Sequence, residues 1–450
     1  MAAPLSEKPV SHQKQFWGRT QHLSRLASLG SLSVILASPL CVLLLLTALS
    51  QYHGSFALAF RGLQTQGIQL FLIRGIPALN LQVGMCYSAW VILQAFIYHL
   101  LPGKIATGPP TPGGQSLPYK ANGLACCTTN LAVLFILFAT GIFHPSSIGA
   151  HVGELLFVAN IYGLALTLAV TIKCYCIGPG ARDVRFTGSL IHEFLSGIEL
   201  NPRLGKYWDL KLFQIGRVGM ISWLLLDIAF ASLQLQRFGH VTDSMVVVNI
   251  LHTLYVIDFF IYEDWYLTTI DIAHDHFGFY LAWGSAVLVP ALYTTQAHYL
   301  AYQPIEITRS YATLLTMAGI ASYILFRSSN NQKFRFRQTH GQCLIWGSVP
   351  KTIPTTYTTV DGSIHHSMLL CSGWWGLIRH PNYIGDLLFS FCACAACGFT
   401  HLLPWSYLIF MTVLLAHRAL RDDRRCSEKY GPQWTQYCQT VRWRLIPFVF

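Results

Sequence analysis

The chain has 450 residues, of which 53% are hydrophobic and only 11% charged. Soluble domains carry about 25% charged residues, so this composition excludes an ordinary soluble globule and points to an integral membrane protein. The formal net charge of +11 fits cytosolic loops near anionic headgroups better than nucleic-acid binding. A basic pocket for a phosphorylated cofactor is the sharper expectation.

Residues 1–32 read as a polar cytosolic segment carrying Lys8, Lys14, Arg19 and Arg25. No short apolar run with a cleavage site follows, so no cleaved signal peptide is expected. The first apolar run, Ser33 to Ser50, is long enough to span a bilayer, and the basic residues before it place the N-terminus in the cytosol. Further spans are expected near 82–101, 124–143, 152–174, 218–235, 244–262, 277–300, 311–327, 382–399 and 403–417, about ten in all. The fold class is therefore all-α and polytopic, with one membrane domain over 33–450. Between the spans, 102–118 reads as a Pro/Gly-rich loop. The longest polar interval is 328–368, and 418–450 is a charged tail. Most of the thirteen Cys lie in apolar runs. CACAAC (Cys392, Cys394, Cys397) suggests small-residue helix packing rather than a metal site. Nothing suggests a secreted disulfide framework.

Four polar stretches interrupt the apolar pattern. FRSSNNQKFRFR (Phe326–Arg337) ends a span, and on a helix Lys333 and Arg337 share a face. Two cations on one face suit a phosphate, although a positive-inside anchor would also place them there. LLCSGWWGLIRHPNYIGDL (Leu369–Leu387) is too polar for a lipid-facing span. Trp374 and Trp375 suit an interfacial belt or a flat ring, and Arg379, His380, Asn382, Tyr383 and Asp386 add donors and acceptors. A belt explains the Trp pair but not the whole set. HRALRDDRRCSEKYGPQWTQYC (His417–Cys438) places Arg418, Asp422 and Arg425 at helical spacing, which a solvated amphipathic helix also shows. DFFIYEDWYLTTIDIAHDHFGFYLAWG (Asp258–Gly284) sets Asp271, His274 and Asp275 among aromatics. Neighbouring side chains on a helix diverge, so His274–Asp275–His276 suggests acid chemistry beside an apolar pocket rather than a metal. GPGARD at 178–183 is a poor match to a dinucleotide-binding glycine loop, and no P-loop, nucleophile elbow or HExxH occurs.

At these four stretches the chain resembles the sterol reductase family, through LLCSGWWGLIRHPNYIGD and HRALRDDRRCSEKYGPQW. Within that family it is most similar to the 7-dehydrocholesterol reductases, through GIELNPRLGKYWDLKLF, the Asp258–Gly284 stretch and GQCLIWGSVPKTIPTTYTTVDGSIHHSMLL. The insert 341–366 is usually lacking in 14-reductases, whereas Pro381 is nearer their wording. The resemblance implies a multi-pass endoplasmic-reticulum enzyme that uses NADPH to saturate a sterol ring double bond, C7–C8 of a 5,7-diene or, alternatively, C14–C15. It implies a cofactor region over about 326–450. Lys333 and Arg337 would meet cofactor phosphates, and Leu369, Trp375, Arg379, His380, Asn382, Tyr383, Asp386, Arg418, Asp422 and Tyr430 would line the pocket. The sterol would enter from the lipid side near Asp271, His274 and Asp275, one of which, or a Tyr, would donate a proton. The expected partners are the sterol and the bilayer, with neither nucleic acid nor metal.

The chain departs from the family pattern at Ser285, where an acid is usual, and at Leu288. It departs again at Ile215-Gly216-Arg217-Val218 and, mildly, at Asp423. Two rival readings remain: an isoprenylcysteine-type membrane methyltransferase, which shares an RHPxYxG pattern, and a sterol-binding scaffold without activity.

Overall fold

The computed structural model describes residues 23–178, 183–359 and 362–447. Lys8, Lys14 and Arg19 of the N-terminal segment, and most of GPGARD, lie outside them. Each expected span is helical, in chain order α1 (Arg25–Gln51), α2 (Leu81–Leu100), α3 (Gly123–Ala139), α4 (Val152–Cys176), α5 (Leu210–Phe238), α6 (Asp243–Ile261), α7 (Phe279–Tyr293), α8 (Arg309–Gln338), α9 (Pro381–Ala395) and α10 (Ser406–Tyr430). Six helices are long and apolar enough to cross a membrane by length and composition, namely α1, α2, α4, α5, α6 and the helix ending at Tyr430. The fold is all-α and polytopic.

Local signals start and stop these helices. Ser24, Asn80, Thr242 and Thr308 accept hydrogen bonds from the first free N–H groups of α1, α2, α6 and α8. Pro381 opens α9, where a missing N–H costs nothing. Gly239 closes α5 in the left-handed conformation with φ 78°. The outward faces keep Leu36, Leu40, Ile92, Phe96 and Ile324 exposed, as lipid-facing helices require. The inner faces bury Trp223, Phe230 and Trp283.

Two stretches are π-helical, Phe213–Met220 in α5 and Gly284–Tyr293 in α7, and they pack together. In α7 the cause is Pro290, which removes a rung of the helical ladder. A Cβ on Gly219 would stand 3.1 Å from the Ser285 carbonyl oxygen, so glycine permits the close approach.

The loop expected over 102–118 contains β1 (Lys104–Thr107), which pairs antiparallel with β2 (Pro118–Ala121). A small ribbon, β3 (Arg203–Leu204) and β4 (Trp208–Asp209), precedes α5. The late polar interval is also ordered. α8 runs on to Gln338, and β5 (Thr352–Thr358) pairs with β6 (Ile364–Leu370), Thr352 opposite Leu370. In the tail α10 continues unbroken to Tyr430, and α11 (Pro432–Thr440) folds back on it. Ile353, Leu369, Cys426, Tyr430, Trp434, Tyr437 and Val441 form a separate small core that welds this cap together.

Candidate functional site

The polar end of α8 carries Lys333 and Arg337 on one face, as their spacing requires. The Lys333 ammonium stands over the Trp375 ring at 3.8 Å, a cation–π contact. Trp375 is held by donating to the Ser329 carbonyl at 2.8 Å, and the Trp374 N–H donates to Gln332 at 2.9 Å. Burial, reinforced by the like charge of Arg337, lowers the Lys333 amine to about 8. Arg337 is exposed. Arg327, one span-turn earlier, stands apart. It pairs with Asp258 and stacks over Tyr262 at 4.3 Å and Trp265 at 4.9 Å.

Arg379 is buried and engages the chain itself. Its guanidinium donates to Asp423 at 2.8 Å, to the Cys438 sulfur at 3.0 Å and to the Arg442 carbonyl at 3.1 Å. Asp423 also receives Arg444 at 2.6 Å and the Trp434 indole at 3.0 Å. The backbone N–H groups of Arg379 and His380 donate to the carbonyls of Trp443 and Arg444 at 2.9 and 3.1 Å. Arg379→Lys keeps the charge but loses the planar fork. We expect it to cost about 2 kcal/mol, read as a lower melting temperature of the detergent-solubilised protein. His380 lies flat on Tyr383, ring centroids 4.8 Å apart. Burial lowers its imidazole to about 4, so it is neutral at physiological pH.

The acids of the fourth stretch meet α10. Arg418 donates to Asp271 at 2.5 Å and to the Tyr280 hydroxyl at 3.2 Å. Arg421 pairs with Asp275, and Arg425 with Asp422. Lys211 fixes this turn by donating to the carbonyls of Ile272 and Asp275, each at 2.7 Å. His274, Asp275 and His276 follow the end of the short helix Ile270–Ala273, so divergence along a helix is not what separates them. Burial, aided by the positive charges of Arg425 and Lys429, drives the His274 pKa well below its ordinary value. Among the described residues no group of three His, Cys, Asp or Glu is placed to hold a metal ion.

The two halves are therefore one site. Tyr383 lies within electrostatic reach of Arg418, Asp422, Asp271 and Arg425, and Asp422 within reach of His380 and Lys333. Leu369 and Tyr430 sit in the cap core that supports it. Tyr255, Tyr266, Tyr280, Tyr293 and Tyr383 lie among the helices nearby, and each keeps some accessible surface. Sequence reasoning missed Tyr280, Lys211, Arg421 and Lys429. The last two had a signal, since 418, 421, 425 and 429 repeat at three and four residues along one helix face.

A family profile, "Ergosterol biosynthesis ERG4/ERG24 family", matches residues 24–450. The chain belongs to the ERG4/ERG24 sterol reductase family. It is 40% identical to the 7-dehydrocholesterol reductase of Danio rerio, over 100% of this chain and 96% of the other. It is 41% identical to the 7-dehydrocholesterol reductase of Xenopus laevis, over 99% and 97%. It is 37% identical to the Delta(14)-sterol reductase of Methylotuvimicrobium alcaliphilum, over 81% and 82%. The departures at Ile215, Val218, Ser285 and Leu288 fall at the π-helical crossing, and Asp423 lies in α10. Ser285 is buried and donates to the Leu281 carbonyl of its own helix. Arg217, between the altered Ile215 and Val218, remains buried and paired with Glu263, and it donates to Asn122 at 2.8 Å.

Proposed function

We propose that this sterol reductase reduces the C7–C8 double bond of a 5,7-diene sterol with NADPH, in the endoplasmic-reticulum membrane. The observation that carries the reading is the near full-length similarity to proteins named 7-dehydrocholesterol reductase. The late polar stretches also support it by pairing with one another, Arg418 with Asp271 and Arg421 with Asp275, with a cofactor region over about 326–450.

The residues present fit a phosphorylated dinucleotide. Lys333 and Arg337 offer two cations for a 2′-phosphate. The partly buried Arg418 and Arg425 each keep an Nε–H without a partner, free to donate to a polyanion, and Asn382 keeps an unpartnered Oδ1 that can accept from an amide or hydroxyl group. Trp375, His380 and Tyr383 give flat surfaces for rings, with Leu369, Asp422 and Tyr430 supporting them and Arg379 fixing the loop that presents them. The cofactor would supply hydride to a carbocation formed by protonating the alkene. The chain's tasks are to orient both reactants and to exclude water from the cation. Asp271 and Asp275 hold Arg418 and Arg421 in place, which gives them a positioning role.

The test is product analysis in microsomes from cells expressing the chain, with NADPH and either a 5,7-diene or an 8,14-diene sterol. Loss of only the C7–C8 bond supports the proposal, and loss of only the C14–C15 bond replaces it with the 14-reductase reading. A pH dependence follows as well. A lysine near 8 must take up a proton to hold a phosphate at higher pH, so NADPH binding weakens by about tenfold per pH unit from pH 8 toward about 10. NADH, which lacks the 2′-phosphate, weakens much less. Equal pH responses of the two dissociation constants would remove Lys333 from the phosphate.

A further inference from the structure

Asp386 is the acid that the site's arginines leave alone. Asp271, Asp275, Asp422 and Asp423 each pair with an arginine at hydrogen-bonding distance. None of the ion pairs among the described residues includes Asp386, although it is 95% buried (5% exposed). Its Oδ1 has no hydrogen-bond partner. It lies on α9 one turn after Tyr383.

The titratable and charged groups that act on it are few. Arg418 of α10 is the cation within electrostatic reach. The others are phenols: Tyr255 of α6, Tyr293 of α7, Tyr323 of α8 and Tyr407 of α10. Tyr407 is 5.0 Å from Tyr293, and Tyr255 is 5.8 Å from Tyr323, centroid to centroid. The Tyr323 hydroxyl is already committed as a donor to Asp258 at 2.5 Å. A buried carboxyl oxygen without a donor or a bonded cation is set apart from both water and the ion-pair network. Aromatic rings favour a carbocation electrostatically where it meets their faces.

Resting on the function proposed above, we propose that Asp386 is the proton donor of the reduction, a protonated carboxylic acid inside a tyrosine cage that shields the carbocation. Its O–H proton forms the new C–H bond with the alkene π pair. The resulting cation would be quenched by hydride, which a reduced nicotinamide would supply as it is oxidised, and the Asp386 carboxylate regains a proton from water.

Two measurements test this on the full chain in detergent. Infrared difference spectra between the wild type and Asp386→Asn, in light and heavy water, are expected to show a protonated-carboxyl carbonyl band that only the wild type has. Thermal shift with NADPH is expected to be the same for both proteins, while Asp386→Asn loses about a hundredfold or more of its turnover. Absence of the band overturns the proposal. So does turnover within tenfold of wild type, or loss of the NADPH shift in parallel with turnover, which would make Asp386 a cofactor holder. A wild type without any NADPH shift would instead sink the underlying NADPH reading.

Discussion

Arg418→Ala is expected to lose about a thousandfold in turnover and about 3–5 kcal/mol of stability. The substitution removes the partner of a buried carboxylate at Asp271 and the donor to Tyr280. What remains is a lone charge in an interior of low dielectric, which is costlier than an absent pair. A double variant separates the two effects. Arg418→Met with Asp271→Leu removes both charges and is expected to recover most of the melting temperature while staying inactive. Recovery of turnover in that double variant would make the pair a purely structural tie.

Gly385→Val is expected to yield no folded protein. A Cβ at this position would lie 2.6 Å from the Phe326 nitrogen and 2.8 Å from the Ser322 carbonyl oxygen. Both are backbone atoms of α8, so no side chain can swing aside and the two helices must part. α8 carries Lys333 and Arg337, and α9 carries Asn382, Tyr383 and Asp386, so their separation would also dismantle the candidate site. Gly385→Ala is expected to retain some folded protein at a cost of about 3 kcal/mol. Gly84→Ala, whose added carbon would meet Val158 at an ordinary 3.7 Å, serves as the control. Equal folded yields of Gly385→Val and the control by size-exclusion chromatography would show that the helices tolerate a wider spacing.

The apolar runs made the spans legible because a bilayer demands long hydrophobic helices whatever the fold. The late polar stretches were legible as a site because charge at a membrane boundary needs a reason. Which residues would meet was not legible. The Asp271–Arg418 and Asp275–Arg421 pairs join positions about 147 residues apart, 418 against 271, and periodicity carries no information at that range. Arg379 read as a donor toward a ligand, whereas its partners Asp423, Cys438 and Arg442 lie on the folded-back tail. The polar continuation of α8 to Gln338 and the β5–β6 hairpin were hidden for another reason. Outside the lipid, a helix needs no apolar run, and a short ribbon is stabilised by the cap core rather than by its own pattern.

The two main-chain hydrogen bonds from Arg379 and His380 to Trp443 and Arg444 carry a consequence for biosynthesis. The helices can insert one after another as the chain emerges, but the backbone of Arg379 and His380, just before α9, finds its partners in residues made more than sixty positions later, 443 against 379. A nascent or prematurely stopped chain can therefore be fully inserted and still unable to retain a cofactor. Cells expressing a chain stopped before Trp443 should hold it in the membrane at first and then remove it, because degradation machinery samples the open cap while the spans remain in place.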